Sequence, residues 1–236
     1  MKNKIAFLLP LRSVLFILSF LFLFLAFNKP FGELSKWWSV VATLCNIVTL
    51  LILLAVCRKI KTSYGKFINY EKEKTKVKTV LIIVVVILVV GMGGMYLAGL
   101  ICYHKFPYMA VMMIQPIPLW IAILNVLILP LTTTLAEDGI YLGVINQTDS
   151  KFVLGLSAFF YAFQHSFIPF LPDFRFVAYR FLSFLPLTII MCIWYRKNKN
   201  PLPIMIGHFV INLATVAQIL MTSASPILFE QLKSMS

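Results

Sequence analysis

Long runs of apolar residues, separated by short polar segments, occupy most of the chain. A helix needs about 20 predominantly apolar residues to cross the hydrocarbon core of a bilayer. The pattern therefore predicts an all-α polytopic bundle with about seven membrane-spanning helices. The predicted spans cover residues 13–27, 37–57, 77–103, 119–145, 152–170, 174–195 and 201–222.

Three regions follow from this division: residues 1–118 with three spans, a four-helix core at 119–222, and a short tail at 223–236. The third span carries Gly91, Gly93 and Gly94, and small residues let helices approach closely in lipid. The proline-rich segment 104–118 is predicted to be a loop or a half-embedded turn, with a re-entrant segment left open. Pro130 lies inside the fourth span and is expected to kink it.

Composition and charge support a membrane protein. The chain has 236 residues, of which 61% are hydrophobic and only 12% charged, which argues against a water-soluble enzyme or a disordered chain. The net charge of +13 is explained by basic loops, so no nucleic-acid partner is expected. The expected partners are membrane lipids. One set of loops carries 15 Lys and Arg residues and the other set carries 6. This asymmetry predicts that the N-terminal segment, which includes Arg12, and the basic loop 58–78 both lie on the cytoplasmic side.

A few polar residues lie inside predicted spans, where ionisable side chains are costly and mark candidate functional sites. They are Glu137, Asp138, His165, His208 and Asn212. Residues i and i+4 share one helix face. Three such pairs are Glu137 with Tyr141, Tyr161 with His165, and His208 with Asn212. These faces predict that three helices build one polar site inside the bundle.

The same residues form three motifs in order: EDGIYLG from Glu137, YAFQH ending at His165, and HFVIN from His208. They resemble the CPBP family of intramembrane proteases, also called Abi, which contains CAAX proteases and bacteriocin-processing enzymes. The family pattern is E-E-x-x-x-R, then F-x-x-x-H, then H-x-x-x-N. The resemblance covers about residues 119–222, and the chain carries Leu142 where the pattern has arginine.

The resemblance implies an intramembrane endopeptidase similar to type II CAAX prenyl endopeptidases. Its substrate would be a membrane-associated peptide or protein, prenylated or bacteriocin-like. Glu137 would be the general base, and His165 would share or orient the attacking water. His208 and Asn212 would donate hydrogen bonds to the oxyanion, with Asp138 as a supporting acid.

The resemblance leaves the cofactor open between none and Zn²⁺. Glu137, His165 and His208 are the candidate metal ligands, because these residue types suit zinc and would leave a fourth position open. The sequence has no H-E-x-x-H motif that would require a metal. Tyr141 and Tyr161 are the candidate substrate-binding residues, although Tyr161 taken alone would be read as a packing residue.

Two other functions stay open at this point. A non-catalytic member, such as a scaffold or a bacteriocin self-immunity protein, is favoured by Leu142. A proton-coupled transporter could use the same polar residues as a relay, although no internal repeat is visible. In each case the expected location is the plasma membrane of a bacterial cell, crossed several times.

Overall fold

The computed structural model describes residues 2–71, 75–108 and 110–234, and the regular structure of these residues is helical, with no β-strand. The α-helices are α1 Leu11–Phe27, α2 Phe31–Leu34, α3 Trp38–Lys59, α4 Tyr64–Phe67, α5 Val77–Tyr103, α6 Leu119–Thr133, α7 Gly139–Asn146, α8 Lys151–Phe163, α9 Phe174–Asn198, α10 Leu202–Ala224 and α11 Pro226–Ser234. A π-helical turn, Thr134–Asp138, joins α6 to α7. Short 3-10 segments are Lys2–Leu8, Ser35–Trp37, Val111–Ile114 and Gln164–Phe167.

The predicted all-α membrane bundle is confirmed, whereas the count of seven spans is not. Six helical segments among the described residues are long and apolar enough to cross a membrane. The predicted span 152–170 instead contains α8, which has 13 residues, followed by the 3-10 turn Gln164–Phe167. At 1.5 Å per residue α8 is about 20 Å long, which is short of the hydrocarbon thickness of about 30 Å. The chain is therefore a multi-pass membrane protein with one shorter helix inside the predicted core.

Local signals fix the ends of the helices around the core. The Ser150 side chain accepts a hydrogen bond from the Val153 amide at the start of α8, and the Asp173 carboxylate accepts one from the Arg175 amide at the start of α9. Such side chains satisfy amide groups that have no partner within the helix. α9 ends at Lys199, which takes a left-handed conformation with φ of 56°. These caps set where α8 and α9 begin and end, and thus where their polar residues lie.

Glycines permit close helix packing, as the sequence predicts. A Cβ atom at Gly94 of α5 would lie 2.4 Å from the Ser183 carbonyl oxygen of α9. A Cβ atom at Gly91 would lie 2.7 Å from the Ile211 side chain of α10. Gly93, on another face of α5, meets no other atom within 4 Å. Helix α5 is therefore held close to α9 and α10 by two of the three glycines.

Part of the basic loop 58–78 folds into the bundle. Phe67 of α4 is fully buried, and its ring occupies the space that a Cβ atom at Gly143 of α7 would need. The Tyr64 hydroxyl donates a hydrogen bond to the Leu135 carbonyl at 2.6 Å. Burial raises the pKa of Tyr64, so its hydroxyl keeps the proton that it donates. This loop therefore packs against α7 and holds the π-helical turn through the hydrogen bond to Leu135.

Two apolar clusters make up most of the interior. One contains Leu53, Ile87 and Ile140, and the other contains Phe16, Ala42 and Leu129. Both clusters combine helices of the N-terminal region with helices of the predicted core. Along the segment from α6 to α7, the polar residues 137 and 138 come between Leu129 and Ile140. The candidate polar residues are therefore enclosed by apolar packing contributed from both parts of the chain.

We expect Gly94→Ala to destabilise the protein, because the new methyl group would meet backbone rather than a flexible side chain. Overpacking of this kind costs about 1–3 kcal/mol. Thermal unfolding of purified protein in detergent measures the loss. Gly93→Ala is the matched control, and we expect it to unfold at or above the wild-type temperature because alanine favours a helix over glycine. Equal behaviour of the two variants would contradict the close α5–α9 contact.

Candidate active site

The π-helical turn places two acidic side chains inside the bundle. Helix α6 continues through Pro130 to Thr133, and the wider turn Thr134–Asp138 follows it. The Thr134 hydroxyl donates to the Pro130 carbonyl at 2.7 Å, which satisfies a group beside the irregular turn. Single π-helical turns of this kind are frequent at functional sites. The kink expected at Pro130 is accompanied, four residues later, by a widened turn that carries Glu137 and Asp138.

Glu137 is buried and forms an ion pair that the sequence motifs do not predict. Its Oε1 atom accepts a hydrogen bond from Nη2 of Arg12 at 2.7 Å, and the side chain of each residue is almost completely removed from solvent. Hydrogen bonds between a guanidinium and a carboxylate are among the stronger kinds in proteins. Arg12, from the first helix, therefore balances the charge of the acid at the centre of the site.

Arg12 was expected to be one of the basic residues at the inner membrane surface, and that prediction is wrong. It is fully buried. Its Nε atom donates to the Gln164 side chain and its Nη1 atom donates to the Thr49 hydroxyl at 3.2 Å. Two signals in the sequence could have revealed it: an arginine at the start of an apolar run, and a core motif that has Leu142 where arginine is usual.

Asp138 is bound by residues of two further helices. The Tyr161 hydroxyl of α8 donates to its Oδ1 atom at 2.5 Å. Nδ1 of His208, from α10, lies 3.3 Å from the same oxygen. The Tyr161 hydroxyl also lies 3.0 Å from Nδ1 of His208. An acid that accepts a hydrogen bond from one imidazole nitrogen fixes the orientation of the ring and stabilises its protonated form.

The second oxygen of Glu137 faces both imidazoles. Its Oε2 atom lies 3.8 Å from Nε2 of His165 and 3.7 Å from Nε2 of His208. Oε2 has no hydrogen-bond partner among the described residues. The separations are too long for direct hydrogen bonds and are of the size that a bridging water spans. Three groups able to exchange a proton thus converge on one buried point.

His165 is held from the other side by α9. Its ring stacks on Phe184 with centroids 3.6 Å apart, and its carbonyl accepts a hydrogen bond from Nε of Arg180 at 3.3 Å. It belongs to the 3-10 turn that follows α8, next to Gln164, which contacts Arg12. The turn therefore connects the first helix and the ninth at the site.

The other predicted site residues take different positions. Asn212 donates its side-chain amide to the His208 carbonyl at 3.0 Å, one turn back on α10, and no hydrogen bond joins it to Glu137. Tyr141 is fully buried, and its ring stacks on Tyr161 with centroids 4.4 Å apart. The roles of Asn212 at an oxyanion and of the two tyrosines in substrate binding remain predictions.

Leu142 lies in the apolar interior and does not contribute to the polar site. It is fully buried, in the same cluster as Ile140 and Leu53. Position 142 therefore supplies no guanidinium to the site, and the guanidinium that contacts Glu137 comes from Arg12 of α1. A sequence motif confined to one helix does not include this contact.

The residues of the site do not fit a resident metal ion. Among the described residues no group of three or more His, Cys, Asp or Glu side chains is arranged to hold one. Glu137, one of the three candidate ligands, already pairs with the Arg12 guanidinium. A zinc ion bound at the other oxygen of this carboxylate would lie close to the positive guanidinium, which disfavours it, so no catalytic step is assigned to a metal.

Comparison with known proteins agrees with the motifs. A family model described as type II CAAX prenyl endopeptidase Rce1-like matches residues 115–214, which is somewhat less than half of the chain. The matched segment contains Glu137, Asp138, His165, His208 and Asn212, and excludes Arg12. No curated protein matches the chain, and no solved structure matches it.

We expect Arg12→Met to destabilise the protein strongly, because it leaves Glu137 as a buried carboxylate without its partner. Removing one member of a buried ion pair costs about 3–5 kcal/mol. The double variant Arg12→Met/Glu137→Gln removes both charges and should recover most of the loss. The free energy of unfolding in detergent, measured for both single variants and the double variant, gives the coupling.

Lys29→Met is the control for this cycle, because Lys29 pairs with Glu33 at 3.3 Å on the exposed surface. We expect it to cost about 1 kcal/mol or less. Additive losses at positions 12 and 137 would show that the two side chains are not coupled.

Proposed function

We propose that the protein is an intramembrane endopeptidase that uses Glu137 to activate water, since residues 115–214 match the family model of Rce1-like type II CAAX prenyl endopeptidases. The observation that carries the proposal is the convergence of Glu137 Oε2 with Nε2 of His165 and Nε2 of His208 at 3.7–3.8 Å. The substrate class is a peptide or protein segment at the membrane, with prenylated and bacteriocin-like peptides as the specific candidates.

The first step is the attack of water on the scissile carbonyl. A water between Glu137 and His165 loses a proton to Oε2 of Glu137, and the hydroxide adds to the carbonyl carbon. General bases contribute about 10²–10⁴-fold when they lie within reach of the proton. Arg12 holds the other oxygen, Oε1, so the free oxygen is the one that faces the imidazoles. Arg12 is thus a positioning residue, because it acts through the carboxylate.

The second step is the collapse of the tetrahedral intermediate. The negative charge on its oxygen is stabilised by a donor hydrogen bond from Nε2 of His208, whose ring is oriented by the Asp138 carboxylate at Nδ1. Asn212, one turn away on α10, is proposed as a further donor after a side-chain rotation. Glu137 then returns its proton to the leaving amine as the carbon–nitrogen bond breaks. The products are a peptide with a new carboxylate and a peptide with a new amine.

The non-catalytic alternative, a scaffold or self-immunity protein, loses the argument that favoured it. That argument rested on Leu142, since the site would lack an arginine beside its acids. Arg12 supplies a guanidinium to Glu137 at 2.7 Å, and so the departure at Leu142 does not leave the acid without a partner. The transporter alternative has no feature of the described helices that favours it over hydrolysis.

Peptide cleavage by the purified protein in detergent, followed by mass spectrometry, tests the proposal. We expect Glu137→Gln to lower the cleavage rate about 10²–10⁴-fold, since it keeps the size of the side chain and removes the base. His208→Ala should lower it about 10²–10³-fold through loss of the oxyanion donor. Glu33→Gln, a matched change at an exposed acid, should cleave like the wild type. Products that persist in Glu137→Gln would refute the proposal.

Chelation tests the absence of a metal from the mechanism. We expect prolonged treatment with a strong zinc chelator to leave the cleavage rate unchanged, because no group of three or more candidate ligands among the described residues is arranged to hold a metal ion. The same sample is assayed for zinc by elemental analysis before and after treatment. Loss of activity together with loss of one equivalent of zinc, and its recovery on adding zinc, would overturn this prediction.

A further inference from the structure

Arg180 is a second arginine inside the bundle, and the catalytic scheme does not use its charge. It lies six residues into α9, about 9 Å from the start of that helix at 1.5 Å per residue, and only 5% of it is exposed. An unpaired charge in a membrane span is costly, about 2.5–3.5 kcal/mol on insertion scales. A buried charge that persists under this cost points to a function.

The contacts of Arg180 leave its outer nitrogens free. Nε donates to the His165 carbonyl at 3.3 Å, and the guanidinium carbon lies 4.9 Å from the Phe184 ring centre. Among the described residues no carboxylate pairs with Arg180, and no hydrogen bond is made by Nη1 or Nη2. Arg12, the other buried arginine of the site, uses its Nε, Nη1 and Nη2 atoms for Gln164, Thr49 and Glu137.

Arg180 also lies directly beside the proposed catalytic groups. The His165 ring stacks on Phe184 at 3.6 Å, and the guanidinium lies over the same Phe184 ring. The other end of His165, its Nε2 atom, faces Glu137 at 3.8 Å. His165 thus lies between the carboxylate of Glu137 and the guanidinium of Arg180, which no acid among the described residues neutralises. A peptide bound at Glu137 could therefore extend to Arg180 within a few residues.

We propose that Arg180 binds a carboxylate of the peptide substrate, with the free α-carboxylate at its C-terminus as the main candidate. The inference rests on the proposed peptidase function and names a feature of its substrate. A guanidinium with two free nitrogens has a planar fork that matches the two oxygens of a carboxylate.

Three peptides test the proposal on the full-length protein in detergent. The first two share one sequence with an uncharged last residue, and they end in a free carboxylate and in an amide. The third ends in an amide and differs from the second only in having aspartate as its last residue. We expect the wild type to cleave the free acid about 10- to 100-fold better than the amide in kcat/KM, the range of a hydrogen bond to a charged group. The difference should lie mainly in KM.

The third peptide separates the two sources of the carboxylate. Cleavage of this peptide at the rate of the free acid assigns the recognised group to any carboxylate at that position, including an acidic side chain. Cleavage at the rate of the plain amide assigns it to the α-carboxylate. Both results support recognition of a carboxylate by the site.

Variants connect this preference to Arg180. Arg180→Gln should cleave free acid and amide equally, a ratio that a merely structural role would not change. Arg180→Lys keeps the charge and loses the fork, so it should keep a reduced preference and serves if Arg180→Gln fails to fold. Arg175→Gln is the matched control, because Arg175 lies exposed on the same helix, and it should keep the wild-type ratio.

Two results overturn the inference while leaving the peptidase intact. One is equal cleavage of free acid and amide by the wild type, and the other is an unchanged preference in both Arg180 variants. Failure of the wild type to cleave any of the three peptides, or any peptide of a wider library, overturns the proposed function and this inference together.

Discussion

The ion pair between Arg12 and Glu137 is the interaction on which the polar interior of this protein depends. A carboxylate inside an apolar bundle is unfavourable unless a charge and hydrogen bonds compensate it. Arg12 provides both, and it also binds Gln164 and Thr49. The first helix, the third helix, the π-helical turn and the turn after α8 are thereby fixed relative to one another. Glu137 then offers a single oxygen, Oε2, to the two imidazoles.

The two adjacent acids have separate partners and separate roles. Glu137 contacts Arg12 and faces both histidines, whereas Asp138 is held by Tyr161 and the Nδ1 atom of His208. His208 is the link, because its two ring nitrogens face the two carboxylates. The π-helical turn allows this arrangement, since it alters the helix at the point where two consecutive side chains must both point inward. Supporting contacts come from outside the motifs, including the Tyr64 hydroxyl on the Leu135 carbonyl.

The two buried arginines differ in what surrounds them. Each of the three side-chain nitrogens of Arg12 donates to a side chain of the protein, which is the expected state of a structural and electrostatic partner. Arg180 has one backbone acceptor and an aromatic ring, and its outer nitrogens have no partner among the described residues. Both contact the same short turn, Gln164–Phe167, from different helices. The 13-residue helix α8 therefore ends inside the bundle, where the turn that follows it contacts both cations.

The sequence by itself determined the class of fold, the membrane environment, most of the helices and the set of acids and histidines at the site. Long apolar runs have one physical solution in lipid, and costly polar residues inside them stand out without any knowledge of their neighbours. Only the tertiary structure decided that Arg12 is an internal partner of Glu137 rather than a surface charge, and that Leu142 is a packing residue. It also decided that α8 stops short of a full span and that Tyr141 stacks on Tyr161. The reason is that each of these depends on contacts between residues distant in the chain, such as 12 with 137, and no local pattern of hydrophobicity or spacing encodes them.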